Sequence, residues 1–271
     1  PVLLFRALER LDIAAAFSLP LIVSFYAGAF TCFAVGILLA RKLFRRRPGE
    51  AVAVGFAATF SNSVLLGLAI IERSHGTGPL TPAFGIIALH SPMIYAVGIT
   101  TMELMRRDGR SLAKTFAVAG RSMIANPLMI GILLGAIVNL TGHWLPEPVM
   151  AGVDMLATAA IPVSLVGVGA AMTRYQMTAQ LPEAGMVAAL SLILHPTIAF
   201  TLSHFVFQLP PDAVRAAVML AAMPPGMNIY LFAVMYDRAV NLAASAFLLA
   251  TMLSIVTASF WIYVLNHIAF G

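Results

Sequence analysis

The chain has 271 residues, 61% hydrophobic and only 10% charged, with a mean hydropathy of +0.94. A soluble domain carries about 25% charged residues, so this composition excludes one and indicates a polytopic membrane protein, all-α because apolar runs of ~20 residues cross a bilayer as helices. The formal charge of +5 does not indicate a nucleic-acid partner, because Lys and Arg sit in short links between apolar runs, without interleaved aromatic residues.

Taken in order, residues 1–8 read as the tail of a membrane helix, and an N-terminal helix together with the first part of the second is expected ahead of Pro1. Residues 19–40 form a full span holding the single cysteine, Cys32, which excludes an internal disulfide. Residues 51–71 follow, interrupted by Phe60-Ser61-Asn62-Ser63, and then 79–104. Residues 122–140 begin near Asn126-Pro127 and carry Gly131 and Gly135, a small-xxx-small spacing that permits close helix approach. Residues 149–172 contain Pro162 and Ser164 at mid-depth, 183–207 contain His195-Pro196, and 213–236 contain Met223-Pro224-Pro225-Gly226-Met227-Asn228. Residues 242–265 close the chain, with Trp261 and Tyr263 where an interfacial aromatic belt is expected.

The links set orientation. Those at 41–50, 106–121, 173–182 and 237–241 hold 12 of the 16 Lys and Arg residues, with the greatest concentration in the first two. This set is expected on the cytoplasmic side of the membrane, which puts the C-terminus outside.

Internal symmetry carries more information. Pro1-Val2-x-Leu4 recurs as Pro162-Val163-x-Leu165, an offset of 161 residues, and Asn62 recurs as Asn228, an offset of 166. The halves are therefore read as a first repeat over 1–105, a link over 106–121 and a second repeat over 122–271. Five helices in each complete half make the repeats inverted with respect to one another, as in secondary transporters.

The interrupted helices focus the chemistry. Pro224 and Pro225 each lack an N–H, so this helix loses backbone hydrogen bonds in mid-membrane and must recover them from protein or from a wet cavity. A broken helix bearing polar groups is how such carriers build a midplane site, whereas a kinked packing helix with an Asn bonded to a neighbour is the plainer alternative.

The order and spacing of four stretches resemble the auxin efflux carrier family, in its bacterial branch. They are Leu4-Phe5-Arg6-Ala7-Leu8, the run from Phe60 to Ala69, the run from Ala160 to Gly169, and Met223-Pro224-Pro225-Gly226-Met227-Asn228-Ile229-Tyr230. The resemblance implies a ten-helix transporter of two inverted five-helix repeats. In it the fourth helices of the two repeats are broken and cross, and a scaffold part moves against a transport part. It also implies a small organic anion as substrate, malonate-like, malate-like or auxin-like. The chain departs from the family at Ser61-Asn62-Ser63, where proline is frequent. The first break is thus expected to be looser, or made by side chains competing with the backbone.

Asn62 and Asn228 are the leading substrate-binding candidates, against a role in bonding helix to helix. N–H groups freed at the breaks are expected to face the same point and favour an anion. Ser61, Ser63 and Ser164 are further candidates, although a serine can satisfy its hydroxyl on its own helix. Pro224, Pro225 and Gly226 form the break, and Pro162 and Pro196 read as hinges. His195 is the candidate for proton coupling, while His90 reads as a buried hydrogen-bonding residue. No cofactor, metal set, P-loop or hydrolase motif is expected, which argues against an enzyme. Beyond the anion and the lipid bilayer, proton or sodium coupling and homodimer assembly stay open. The competing readings are a sodium-coupled symporter resembling the bile acid family, and a channel or sensor on the same fold.

Overall fold

The structure is a computed structural model that describes residues 1–9, 11, 17–106, 127–142, 145–173 and 180–269. The basic links at 107–121 and 174–179, and Asn126, lie outside the described residues. Described segments are helical apart from short connections and one isolated antiparallel bridge. In chain order the helices are α1 (Val2–Glu9), α2 (Leu19–Lys42), α3 (Pro48–Thr59), α4 (Leu68–His75), α5 (Leu80–Arg106), α6 (Pro127–Thr141) and α7 (Glu147–Met172). They continue as α8 (Leu181–Ala189), α9 (His195–Phe200), α10 (Pro211–Ala221), α11 (Asn228–Tyr236) and α12 (Val240–Val264).

Four rods, Leu19–Lys42, Leu80–Met105, Leu181–Val206 and Val240–His267, are each long and apolar enough to cross a bilayer. The third is α8 and α9 joined by a π-helical turn, Leu190–Leu194, and extended by a second, Thr201–Val206. Two further segments are divided mid-way: α3 is followed by a break and a π turn at Ser63–Gly67 before α4, and α10 is separated from α11 by residues 222–227. The protein is an all-α membrane protein.

The helices pack as two groups. In the smaller, α1 lies against α6 and α7. Gly131 and Gly135 of α6 face the α1 backbone at Pro1 and Phe5, where any Cβ would strike it. Close approach at two successive turns fixes the parallel alignment of these helices. Asn139 then closes the end of α1, its Nδ2 donating to the carbonyls of Leu8 at 3.0 Å, Glu9 at 3.1 Å and Leu11 at 3.0 Å. Arg6 bonds both Glu9 of its own helix and Asp154 of α7.

In the larger group α2 is central, packed against α3 and α9. Its crossing with α3 uses Gly36 over Gly55, and its crossing with α9 uses Gly28 against His195. At the end of α2, Arg46 makes a forked contact with the buried Glu183 of α8, its Nη2 2.7 Å from Oε2. This contact raises the Arg46 pKa above its usual value, the hydrogen bond to Glu183 outweighing partial burial.

One aromatic residue departs from the sequence expectation. Trp261 is interior, and only Tyr263 is exposed. Pro196 has no N–H to give the Leu192 carbonyl four residues before it, and the Trp261 indole N–H donates to that carbonyl at 3.2 Å. The proline draws the tryptophan inward, because an orphan carbonyl in a membrane helix is costly.

Candidate functional site

The two divided segments meet at their breaks. Helix α3 ends at Thr59, and Phe60 and Asn62 leave the helical region with ψ of 89° and 59°. Residues 60–62 run antiparallel to 224–226, with Ser61 opposite Pro225. The Asn62 N–H donates to the Pro224 carbonyl at 2.8 Å, and the Gly226 N–H donates to the Phe60 carbonyl at 2.9 Å. Ser61 and Pro225 form the pair that exchanges no hydrogen bonds, so the missing N–H of Pro225 costs nothing there. Each break supplies the partners that the other lacks.

The first break is therefore neither loose nor made by its side chains, contrary to the sequence expectation. Ser61 Oγ and Ser63 Oγ bond each other at 2.8 Å, and it is the backbone of the second segment that holds the first one open. The chain returns to helix through the π turn, in which the Asn62 carbonyl accepts from the N–H groups of Leu66 at 3.3 Å and Gly67 at 3.0 Å. On the other side, the N–H groups of Gly226, Ile229 and Tyr230 go to the carbonyls of Phe60, Gly226 and Met227. Part of the expected N–H cradle is thus spent on building the crossover itself.

Within this frame the Asn62 side chain stands out. It is 6% exposed, and its Nδ2 has no hydrogen-bond partner among the described residues. An amide donor buried without an acceptor costs about 1–3 kcal/mol, so the site is poised to gain from an incoming oxygen. Gly226 lies directly beside it, a Cβ there falling in ordinary contact with the Asn62 Cα at 3.4 Å. Asn228 is half-buried, and its Oδ1 accepts from the Tyr95 hydroxyl of α5 at 3.4 Å. That bond leaves the Asn228 amide nitrogen free to act as a donor. Around them, Phe56 and Phe232 stack at 3.9 Å between ring centres, and Tyr95 packs on Phe56 and Phe60.

The remaining candidates fall in three places. Pro162 lines an open cleft of about 750 Å³ with Ala69, Ile70, Glu72, Arg73, Ser74 and Ile262. Ser164 lies on the same helix, α7, which passes the π turn after Asn62; its side chain is outside the described residues. Pro196 is buried at the start of α9, and His195 next to it has Nε2 3.1 Å from the Phe25 carbonyl.

Two residues near the crossover were missed or misread from sequence. Tyr95 carries no signal in an apolar span beyond its hydroxyl. His90 was expected to be a buried hydrogen-bonding residue; it is 3% exposed, and among the described residues neither ring nitrogen makes a hydrogen bond of ordinary geometry. It sits beside the Ser61 backbone, edge-on to Phe60 at 4.8 Å. No Lys or Arg occurs in residues 60–67 or 222–228. Among the described residues, no three of His, Cys, Asp and Glu come together to hold a metal ion.

Broken helices that bear polar groups at the break are an arrangement that secondary transporters use. Over 269 residues the chain is 23% identical to the protein of Rhizobium meliloti (strain 1021) named "Putative malonate transporter", an alignment covering 98% of this chain and 83% of that one. Residues 1–262 match the family described as membrane transport protein, so the chain belongs to that family, the auxin efflux carriers whose motifs it carries.

Proposed function

We propose that the protein is a secondary carrier that moves a small organic anion across the bacterial inner membrane by alternating access, with the anion's carboxylate received at the crossover by Asn62 and Asn228. The observation that carries this reading is the Asn62 amide, buried and without an acceptor among the described residues, at a point where the surrounding backbone is paired. A carboxylate oxygen is the acceptor such a donor lacks, and Ser61 and Ser63 are adjacent hydroxyls able to share it. The malonate named for the Rhizobium relative suggests a small dicarboxylate as the first substrate to test.

In this reading residues 1–105 and 122–271 are the two inverted repeats. The order of α2, broken segment and α5 matches that of the α8–α9 rod, broken segment and α12, and the two breaks pair antiparallel. The group of α1, α6 and α7 acts as the scaffold against which the rest moves. The links rich in Lys and Arg face the cytoplasm, and the C-terminus faces the periplasm.

The test is uptake of radiolabelled malonate, malate, acetate and indole acetate into proteoliposomes holding the purified protein, with proton and sodium gradients imposed separately. Saturable uptake of at least one carboxylate, reduced in Asn62→Ala, is the expected result. Failure of the whole panel in folded protein would overturn the carrier reading.

A further inference from the structure

We infer that His90 is the proton-carrying residue of this carrier: as an anion enters the crossover, His90 takes a proton from solvent and its imidazolium supplies the positive charge that the crossover lacks. The inference rests on the carrier reading above and adds a coupling residue to it.

An anion moved into a low-dielectric interior needs a nearby cation, or must travel with one. The two breaks hold no Lys or Arg. The titratable side chains nearby are His90 and Tyr95 on α5, Tyr26 on α2 and His195 on α9. Three of these four already make a hydrogen bond. The Tyr26 hydroxyl donates to the Ile86 carbonyl at 2.8 Å, and the Tyr95 hydroxyl donates to Asn228. The His195 Nε2 lies 3.1 Å from the Phe25 carbonyl, which fixes that nitrogen as an N–H donor. Among the described residues, His90 alone of the four makes no hydrogen bond of ordinary geometry, the backbone of Ser61 being its nearest polar neighbour.

Its place suits the task. Phe60, on which the His90 ring packs, immediately precedes Ser61, and the Ser61 backbone lies beside the imidazole. In the pairing of the breaks the Ser61 carbonyl is turned outward, because the bonds of that pair are made by Phe60 and Asn62. An imidazolium has two N–H donors. One finds the Ser61 carbonyl, and the other is available to an oxygen of the anion held by Asn62. Without the anion, neutral imidazole stays in its aromatic surroundings of Phe25, Tyr26 and Phe60. On release at the other face, the proton returns to water, so one proton moves with each anion and no other reactant is needed. The charge on the ring is thereby tied to occupancy of the crossover, which is the requirement for coupling.

The experiment measures protons taken up per malonate bound, in weakly buffered detergent solution at about pH 7.5, where free histidine is mostly neutral. The purified full chain is compared with His90→Gln and His195→Gln. The expected results are about one proton per malonate for the parent and for His195→Gln, and close to none for His90→Gln with affinity reduced about tenfold. A parent that binds malonate without proton uptake overturns the inference and leaves the carrier reading standing. So does a His90→Gln variant that takes up protons as the parent does. A folded parent that binds no carboxylate overturns both. Should His90→Gln fail to fold, nitrogen-labelled histidine spectra of the parent and of His195→Gln decide. One imidazole converting to imidazolium on malonate addition in both supports His90, and no conversion overturns it.

Discussion

Asn62 gives its backbone N–H to the Pro224 carbonyl at 2.8 Å, while its side-chain amide nitrogen, in the same buried position, meets no acceptor among the described residues. The backbone bond makes the crossover one unit, so a change at either break is felt at the other. The unfilled side chain separates what builds the crossover from what is available to a ligand.

The two asparagines should respond differently to charge and to truncation. Asn228→Ala removes one donor and is expected to weaken carboxylate binding about tenfold, the worth of ~1.4 kcal/mol. Asn228→Asp adds a negative charge beside the anion and should be worse than Ala. Asn62→Ala should also weaken binding, but should raise thermal stability slightly, because the parent amide is buried without a partner. Equilibrium binding of malonate beside melting temperature checks all three. An Asn228→Asp variant that binds as the parent does would remove the anion from the crossover.

Substitutions at the second break should divide binding from movement. Pro225 needs no donor, since it faces Ser61 in the pair that exchanges no bonds. Pro225→Ala therefore keeps the pairing but restores an N–H able to extend a helix across the break, and transport should fall more than binding does. Gly226→Val places carbon atoms against Asn62, and binding should fall with transport. Uptake rate and equilibrium binding, compared at matched expression, distinguish the two patterns.

What the sequence revealed and what it hid follow from how far apart the partners lie. The Pro224-Pro225-Gly226 break, the interruption at Phe60-Ser61-Asn62-Ser63 and the Gly131/Gly135 approach are local patterns, legible because each departs from an apolar helix within a few residues. The inward turn of Trp261 was not legible. It answers a carbonyl freed by Pro196, 65 residues earlier, and only the fold brings them together. The placing of His90 beside the Ser61 backbone and Phe60 was hidden for the same reason, since His90-Ser91-Pro92 carries no sign of what the ring faces. The antiparallel pairing of the breaks explains why Ser61 needs no proline: Asn62 and Phe60 already have partners at Pro224 and Gly226.

The contact of Arg46 with Glu183 ties a link that sequence reading treated only as an orientation signal to the first turn of α8. The Glu183 side chain is 4% exposed and that of Arg46 is 21% exposed, so the pair is largely desolvated. Arg46→Ala should leave a buried carboxylate without its cation and cost about 3 kcal/mol, whereas Arg46→Ala with Glu183→Leu should recover much of the loss. Thermal unfolding in detergent checks this double-mutant cycle. Equal stability of parent and Arg46→Ala would show that the fork contributes nothing.

The parallel packing of α1 and α6 also predicts which residues share a membrane face. Pro1 lies by Gly131, Phe5 by Gly135 and Leu8 by Asn139, so Thr141 sits at the end of α1 from which the chain passes to Ser18 and into α2. Helix α2 has 24 residues, about 36 Å at the usual rise, and carries the chain across the bilayer to Lys42. Lys42 and Thr141 should therefore lie on opposite sides, with Lys42 cytoplasmic if the basic links follow the positive-inside tendency. Both residues are exposed, and the native Cys32 is buried with its thiol against the Leu190 carbonyl, so background labelling should be low. In intact cells, stripped of the outer membrane, an impermeant maleimide should label Thr141→Cys at once and Lys42→Cys only after permeabilisation. The reverse pattern would invert the assigned orientation, and labelling of both from one side would break the assignment of α2 as a complete crossing.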